Sequence, residues 1–234
     1  MKIAILADIH ANIYAFEAVL ADVQKEGVDK IIVAGDFIGY YYWPSEVVNI
    51  CMLDSRFICV RGNHEDNLKL AFSDPTKLES LTKKYGSSYQ ICIDTLNANQ
   101  VNWLLSLPNF LDFKIGDTSF YVTHGSLKDT SEYVYPNANL KKIKENFSNA
   151  KYTILGHTHY PFIHSSNNKW LINPGSVGQP RDFGNIASYF IVNLDTDVIV
   201  PKRIAFPTEV IIQHVNIYDK NVKYLKNIFK RGSI

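Results

Sequence analysis

The sequence is poor in several features that mark specialised classes of protein. Its 234 residues include three cysteines, in apolar surroundings and without CxxC spacing, which we expect to be reduced core residues: Cys51, Cys59 and Cys92. The 24 Lys and Arg nearly balance the 23 Asp and Glu, so the net charge is +1. Because no sustained basic face results, we expect no stable complex with nucleic acid. We find no internal repeat, low-complexity tract or linker.

The sequence also lacks a long apolar segment. No stretch approaches the roughly 18 uncharged apolar residues of a membrane span, and the apolar run in MKIAILADIH is too short for a signal-peptide core. We therefore expect a cytoplasmic protein with no membrane partner. Hydrophobic residues make up 46% and charged residues 20%, as in soluble globular proteins, and the length favours one compact domain over residues 1–234.

Hydrophobic periodicity predicts an α/β fold. Residues 1–62 alternate between short apolar runs and stretches with helical spacing, which predicts a βαβαβ unit with a parallel sheet. Residues from about 66 to 108 have helical patterns separated by Pro and Gly, which indicates a helical insertion. The following residues form short strand-like runs, which predict a mixed or antiparallel sheet, and VKYLKNIFKRG near the end predicts one more amphipathic helix.

Five of the seven histidines lie just after a strand-like run, and these are His10, His64, His124, His157 and His159. In sheets of this kind ligands bind at the carboxyl ends of strands, so these side chains can converge on one edge although they are distant in sequence. His164 and His214 do not share this position, and we expect them to be structural or surface residues.

The neighbours of these histidines suggest a metal centre. Asp8 and His10 form Asp-x-His, His157 and His159 form His-x-His, and each pair places alternate side chains on one side of an extended segment. Imidazole together with carboxylate suits Mn, Fe, Zn or Ni better than Ca or Mg. With Asp36, Asn63 and His124 there are seven potential ligands, enough for two ions if one carboxylate bridges them. The alternative is that Asp and Asn simply cap turns at strand ends.

In order along the chain, the motifs DIH, GD, GNHE, HG and GHTH resemble those of the calcineurin-like metallophosphoesterases. The resemblance covers essentially the whole chain and implies a four-layer α/β/β/α sandwich of two mixed sheets. It also implies two divalent metal ions, one held by Asp8, His10, Asp36 and His159, the other by Asp36, Asn63, His124 and His157. Asp36 would bridge the ions. The implied reaction is phosphoester hydrolysis by a metal-bridging hydroxide, with His64 as general acid.

The resemblance suggests further roles near the ligands. Asn12 either hydrogen-bonds near the metals or caps the helix that starts at Ile13. Glu65 either orients the His64 imidazole or is a surface carboxylate. Arg61, in RGNHE, lies where related phosphatases have a phosphate-reading arginine.

The segment INPGSVGQPRD, residues 172–182, resembles the one that follows the last metal-site strands in bacterial and archaeal members. Its backbone around Ser176 could present N–H groups to a phosphate, and Arg181 could clamp one. The alternative is a Gly/Pro turn with a solvated arginine.

The stretch GDFIGYYYWP discriminates between branches of the family. Phosphoprotein phosphatases and symmetrical dinucleoside tetraphosphatases have GDxVDRG there, so this chain resembles the small bacterial and archaeal phosphodiesterases instead. We expect a small phosphodiester substrate derived from nucleotides, with phosphomonoesters as a further option. The alternatives are a non-catalytic interaction module on the same fold and a dinucleoside polyphosphate hydrolase. Tyr40 to Trp43 either form a stacking wall for the substrate or pack under the loop or at a homodimer contact. The sequence is therefore compatible with a monomer and with a homodimer.

Overall fold

The structure, a computed structural model, describes residues 1–232, which form ten strands and nine α-helices. The strands are β1 (Lys2–Leu6), β2 (Lys30–Ala34), β3 (Phe57–Val60), β4 (Phe110–Ile115), β5 (Thr118–Thr123), β6 (Tyr152–Ile154), β7 (Pro161–Ser166), β8 (Lys169–Pro174), β9 (Ile186–Asn193) and β10 (Val198–Ala205). The helices are α1 (Ile13–Lys25), α2 (Pro44–Leu53), α3 (Asn63–Ser73), α4 (Pro75–Tyr85), α5 (Ser88–Thr95), α6 (Ala98–Ser106), α7 (Leu140–Glu145), α8 (Glu209–Tyr218) and α9 (Tyr224–Asn227). A 3₁₀ turn at Ile228–Lys230 follows α9.

The strands form two mixed sheets of five strands each. The first has the order β10-β9-β1-β2-β3, with β1, β2 and β3 parallel and β9 antiparallel to both of its neighbours. The second has the order β4-β5-β6-β8-β7, with β5, β6 and β8 parallel and antiparallel strands at both edges. Each sheet therefore contains three adjacent parallel strands, whose carboxyl ends lie at the same edge of the sheet.

Alternating apolar residues divide the molecule into four layers. On β1, Ile3 and Ile5 belong to the buried cluster between the sheets, which also contains Phe120 of the second sheet. Leu6, on the other face of β1, belongs to the cluster under the helices α1 and α2. A third cluster lies on the outer face of the second sheet and includes Ile143 of α7. The predicted α/β/β/α sandwich is confirmed.

The helices differ in part from the prediction. Four helices, α3 to α6, occupy residues 63–106 between β3 and β4, where we predicted an insertion at about 66–108. Helices α5, α7 and α8 were not predicted; α8 is rich in Val and Ile, which are typical of strands, yet it buries Ile211 and Val215 against the helical layer. The predicted tail helix is only the short α9 and its 3₁₀ turn.

Two other expectations concern composition. The three cysteines are buried and unbonded, in agreement with their expected role as core residues. Over residues 1–232, no helix is both long enough and apolar enough to cross a membrane.

Candidate metal centre

The predicted ligands lie at the carboxyl ends of five strands, three in the first sheet and two in the second. Asp8 and His10 follow β1, Asp36 follows β2, Asn63 follows β3, His124 follows β5, and His157 and His159 follow β6. All but Asn63 are buried. Because the parallel strands of the two sheets end at one common edge, residues far apart in sequence meet there.

The backbone at this edge is strained. Asp8, His10, Asp36, His157 and His159 have φ between 53° and 68°, in the left-handed region that residues with a side chain rarely adopt. Each such residue costs about 1–2 kcal/mol. Backbone hydrogen bonds between the two loops hold part of this conformation, since the amides of Asp8 and His10 donate to the carbonyls of Gly35 and Asp36 at 3.1 and 3.0 Å.

His124 lies at the centre of one group of acceptor atoms. Its Nδ1 donates to the carbonyl of Ala34 at 2.6 Å, so in the neutral ring Nε2 carries the lone pair. This Nε2 lies 3.0 Å from Oδ2 of Asp36 and 3.1 Å from Oδ1 of Asn63. It also lies 3.2 Å from Nδ1 of His157.

The fourth atom of this group, Nδ1 of His157, is an acceptor as well. Nε2 of His157 donates to the carbonyl of Ser131 at 3.0 Å, which leaves the lone pair on Nδ1. When both rings are neutral, the imidazoles of His124 and His157, the Asp36 carboxylate and the Asn63 amide oxygen face one another with no hydrogen between them. Such an arrangement is repulsive unless a cation or a proton lies among the four atoms.

A second group of acceptors surrounds His10 and His159. Their Nδ1 atoms donate to the carbonyls of Ile38 and Gln179 at 3.0 and 2.7 Å, so both Nε2 atoms carry lone pairs. These two Nε2 atoms are 3.1 Å apart. Oδ1 of Asp8 lies 3.4 Å from Nε2 of His159 and 3.7 Å from Nε2 of His10. The donor set again fits a divalent ion of the Mn, Fe, Zn or Ni type.

Asp36 lies between the two groups. Its Oδ2 is 3.9 Å from Nε2 of His10 and 3.0 Å from Nε2 of His124. The same carboxylate therefore reaches both sets of acceptors, as a bridging ligand must. Burial alone would raise the pKa of Asp36, but the charge of His124 holds it well below its usual range.

The histidines differ in protonation. Burial lowers the pKa of His157 to about 3 and holds the pKa values of His10 and His159 well below the usual range, so these three rings are neutral and able to bind a metal. Burial acts in the same direction on His124, but the charge of Asp36 outweighs it and raises the pKa of His124 to about 10. In the metal-free protein a proton on His124 thus offsets the convergence of acceptors.

His64 lies beside these groups, with Nε2 4.0 Å from Oδ2 of Asp36. Its Nδ1 is 2.7 Å from the hydroxyl of Tyr89, which accepts a hydrogen bond from Nδ2 of Asn67 at 3.2 Å. The Tyr89 hydrogen is thereby left for Nδ1 of His64, so the proton of the neutral ring lies on Nε2, facing the cluster. Gly39 packs so closely on this ring that a Cβ there would lie 2.0 Å from Nδ1.

Both expectations for Glu65 are wrong, because the residue is fully buried and its carboxylate does not bind the His64 ring. One oxygen accepts hydrogen bonds from the amides of Asp36 and Gly62, at 3.1 and 2.7 Å. The other accepts from the amide of Phe37 at 2.9 Å. Glu65 therefore fixes the backbone that carries Asp36 rather than the imidazole.

Asn12 and Ser176 lie close to the centre but have partners in the protein. Oδ1 of Asn12 caps α1 by accepting from the amide of Ala15 at 3.1 Å, and its Nδ2 donates to the carbonyl of Gly178 at 2.8 Å. The Ser176 hydroxyl donates to the carbonyl of Asp8 at 2.7 Å. Both side chains join the 172–182 loop to the β1 loop.

Arg61 points to the helical layer. Its Nε donates to Oδ1 of Asn109 at 2.7 Å and lies 3.2 Å from Oδ1 of Asp66, and its Nη1 donates to the carbonyl of Leu105 at 3.2 Å. These contacts give Arg61 a structural role and do not support the predicted role in binding phosphate.

The aromatic stretch after Asp36 divides into two parts. Tyr41 and Tyr42 are buried under the C-terminal helices, where their hydroxyls donate to the carbonyl of Leu225 at 3.2 Å and to Asp219 at 2.9 Å. Trp43 packs on Tyr14 and His214. These three rings pack within the chain, as the alternative of packing under the loop predicted, and they do not form a stacking wall.

Tyr40 is the exception. Its ring meets those of His10 and His64 at centroid distances of 4.6 and 4.9 Å. The Arg181 guanidinium lies 3.5 Å from the Tyr40 hydroxyl, which places both predicted residues beside the cluster.

Sequence reasoning missed several supporting residues. Tyr89 belongs to no recognisable sequence motif, because its contact with His64 depends on how helix α5 packs against α3. The backbone carbonyls that orient the histidines could not be predicted either, because every residue has a carbonyl whatever its side chain. Tyr133 stacks on the ring of His157 at a centroid distance of 4.1 Å. The only available signal for Tyr133 was its position in the Tyr-rich segment SEYVY, which follows His124.

Two facing mixed sheets with imidazole, carboxylate and amide ligands at their strand ends define a class of metal-dependent hydrolases. The sequence model of the Calcineurin-like phosphoesterase superfamily domain matches residues 1–197, and the chain belongs to this superfamily. The resemblance seen in the sequence is thereby confirmed. The chain is a metallophosphoesterase, a hydrolase of phosphoesters.

Relatives from archaea and bacteria agree with this assignment. Uncharacterized protein MJ0912 of Methanocaldococcus jannaschii is 32% identical over 209 residues, 81% of each chain. Phosphodiesterase YfcE of Escherichia coli is 24% identical over 208 residues, 85% of this chain and 90% of that protein. The crystal structure of a metallophosphoesterase from Sphaerobacter thermophilus is 28% identical, with a TM-score of 0.79 over 97% of this chain and 98% of that one.

Proposed function

We propose that the protein hydrolyses small phosphodiesters with two divalent metal ions. The observation that supports this most strongly is the convergence of imidazole, carboxylate and amide ligand atoms in two groups that share Asp36. A structural cluster of caps and turns would pair each acceptor with a donor. Here the donors of the imidazoles are used on backbone carbonyls, and the lone pairs face inward.

The chain's residues would divide between the two ions. Asp8, His10, Asp36 and His159 would hold one ion, and Asp36, Asn63, His124 and His157 the other. Two such ions supply a water of lowered pKa as nucleophile and neutralise the phosphoryl oxygens. The carbonyls behind the imidazoles and the Glu65 carboxylate behind the Asp36 backbone keep these ligands in place, which limits the reorganisation needed during reaction.

His64 would act as the general acid in its doubly protonated form. Its Nε2–H faces the cluster, and Tyr89 and Gly39 fix the ring from behind. Burial lowers the pKa of His64 to about 4 in the protein alone, and the negative charge of a bound phosphodiester would raise it, so that Nδ1 takes up a proton and turns its hydrogen bond with Tyr89 around. The imidazolium could then give its Nε2 proton to the departing alkoxide oxygen and return to the neutral ring.

A nucleotide-derived substrate is supported by an aromatic surface on the His157 side of the centre. Tyr133 and Tyr135 are 42% and 40% exposed, and their rings stack on each other at 5.5 Å. A cavity of about 310 Å³ lies between Tyr135 and Tyr160. We propose that a base stacks here and not on Tyr41 to Trp43.

The test is the variant His64→Ala, with His164→Ala on β7 as the control. We expect His64→Ala to keep both ions by metal analysis and to lose about 10²- to 10⁴-fold in kcat on alkyl phosphodiesters. The loss should be smaller on bis(p-nitrophenyl) phosphate, whose leaving group needs little protonation. Full metal content with turnover equal to that of wild type on alkyl diesters would exclude the role. No metal-dependent turnover of any diester by wild type would favour a non-catalytic module.

A further inference from the structure

A cavity of about 390 Å³ lies next to the metal centre and is positively charged. Its lining residues are Tyr40, Gln179, Arg181, Lys223, Tyr224, Asn227, Ile228 and Arg231. Three of them are cations, and no carboxylate is found among these lining residues. We call this space the basic cavity.

The basic cavity shares its inner wall with the metal centre. Tyr40 contacts the rings of His10 and His64 on one side and lines the cavity on the other. The carbonyl of Gln179 accepts the hydrogen bond from Nδ1 of His159 at 2.7 Å, and the backbone amide of Arg181 donates to the carbonyl of His159 at 3.4 Å. A molecule bound at the metals can therefore extend into this cavity.

The outer wall comes from the C-terminal segment. Nη1 of Arg231 donates to the carbonyl of Arg181 at 3.2 Å, which holds the two arginines together at the cavity. The Tyr224 hydroxyl donates to the carbonyl of Lys84 at 2.8 Å and fixes α9 to the helical layer. These outer residues lie outside residues 1–197, the part that matches the superfamily. Two of the three cations of the cavity, Lys223 and Arg231, thus come from the C-terminal segment, and the third, Arg181, comes from the 172–182 loop.

The ligand that fits this cavity is an anion. Gln179 is 2% exposed, and its side-chain amide is hydrogen-bonded to the buried Tyr41 hydroxyl. The guanidinium groups of Arg181 and Arg231 and the ammonium of Lys223 are therefore the charged groups left to bind a ligand in this space. Because no carboxylate lies among the lining residues, these three cations favour a negatively charged group.

We propose that the basic cavity binds a second phosphate group of the substrate, so that the enzyme prefers phosphodiesters with a terminal phosphate on one arm. The proposal rests on the proposed function for its catalytic consequence but not for the binding of the anion. Arginine and lysine together bind phosphate dianions better than neutral groups of the same size. A substrate without the terminal phosphate would leave the three cations unpaired.

The first test measures anion binding without metals. Inorganic pyrophosphate is titrated calorimetrically into metal-free wild type, the double variant Lys223→Ala/Arg231→Ala, and the control Lys226→Ala. Lys226 lies on the same helix α9, outside the lining of the cavity, and its Nζ donates to Asn216. We expect the double variant to bind about tenfold more weakly than wild type and the control to bind equally. Equal binding by all three proteins, or equal weakening in the control, would overturn the proposal.

The second test compares two dinucleotides that differ only in a terminal 5′-phosphate. We expect wild type to have a KM about tenfold lower for the phosphorylated one, and the double variant to lose this difference. If the variant keeps the full difference, the cavity is not the phosphate site, although diester hydrolysis stands. If wild type hydrolyses neither dinucleotide nor bis(p-nitrophenyl) phosphate, the proposed function fails, and the calorimetry alone decides on the cavity. Because Lys223 and Arg231 are exposed, both variants should fold, as near-UV circular dichroism can verify.

Discussion

Replacing Glu65 by Gln tests whether this buried carboxylate holds the loop that carries Asp36. In wild type, Oε2 accepts from the amides of Asp36 and Gly62, and Oε1 accepts from the amides of Phe37 and Ile38. A glutamine of the same shape has only one oxygen. Whichever way its amide is turned, an NH₂ group faces two backbone N–H donors, and two hydrogen bonds are lost.

The expected loss in the free energy of unfolding follows from the two backbone N–H donors that Glu65→Gln leaves unpaired. Each buried unsatisfied group costs about 1–3 kcal/mol, so we expect Glu65→Gln to lower the free energy of unfolding by about 3 kcal/mol. For a domain of this size that corresponds to a fall of about 6–12 °C in Tm. Burial and the charge of Asp36 raise the pKa of Glu65 to about 8, so the assay is urea unfolding of metal-free protein at pH 9, where the Glu65 carboxylate is ionised. The control is Glu46→Gln, at an exposed carboxylate in the first turn of α2. A loss below about 1 kcal/mol, or an equal loss in the control, would refute the role given to Glu65.

Three further predictions concern the site itself. The charge of Asp36 outweighs burial and raises the pKa of His124 to about 10, so the binding of Mn²⁺ at pH 7 should release a proton and should weaken as the pH falls. Calorimetry in buffers of different ionisation enthalpy measures the number of protons released. Binding of Mn²⁺ without proton release would contradict the prediction. Gly39→Ala should keep the metals but lower kcat at least about tenfold, since its Cβ would displace the His64 ring; unchanged kcat would show that the ring tolerates the shift. Tyr135→Ala should raise KM for nucleotide diesters about fivefold and leave KM for methyl p-nitrophenyl phosphate unchanged, and an equal effect on both substrates would argue against base stacking.

The metal ligands could be proposed from the sequence because the ligand atoms belong to side chains, whose residue types can be read directly. Asp8, His10, His157 and His159 each follow an apolar run, and parallel strands bring such positions to one edge. Successive side chains of a strand point to opposite faces of the sheet, so the positions of Ile3 and Leu6 in β1 place them on different faces. Local sequence was enough for both inferences.

The supporting groups could not be predicted in the same way. Tyr89 and Glu65 act through contacts whose partners are fixed by helix packing and by backbone amides, and neither appears as a spacing rule. Two alternatives stayed open for Tyr41 to Trp43 in the sequence, because nothing local shows that α8 and α9 cover these rings. The same C-terminal helices build the basic cavity, which no short motif encodes.

The most direct test of the two-metal centre is a titration of metal-free enzyme with Mn²⁺, following initial rates on bis(p-nitrophenyl) phosphate. Because Asp36 reaches both groups of acceptors, we predict that the rate rises until two equivalents per chain are bound and that Asp36→Asn gives no rise. A rate that does not depend on Mn²⁺, or that saturates at one equivalent, would contradict the account.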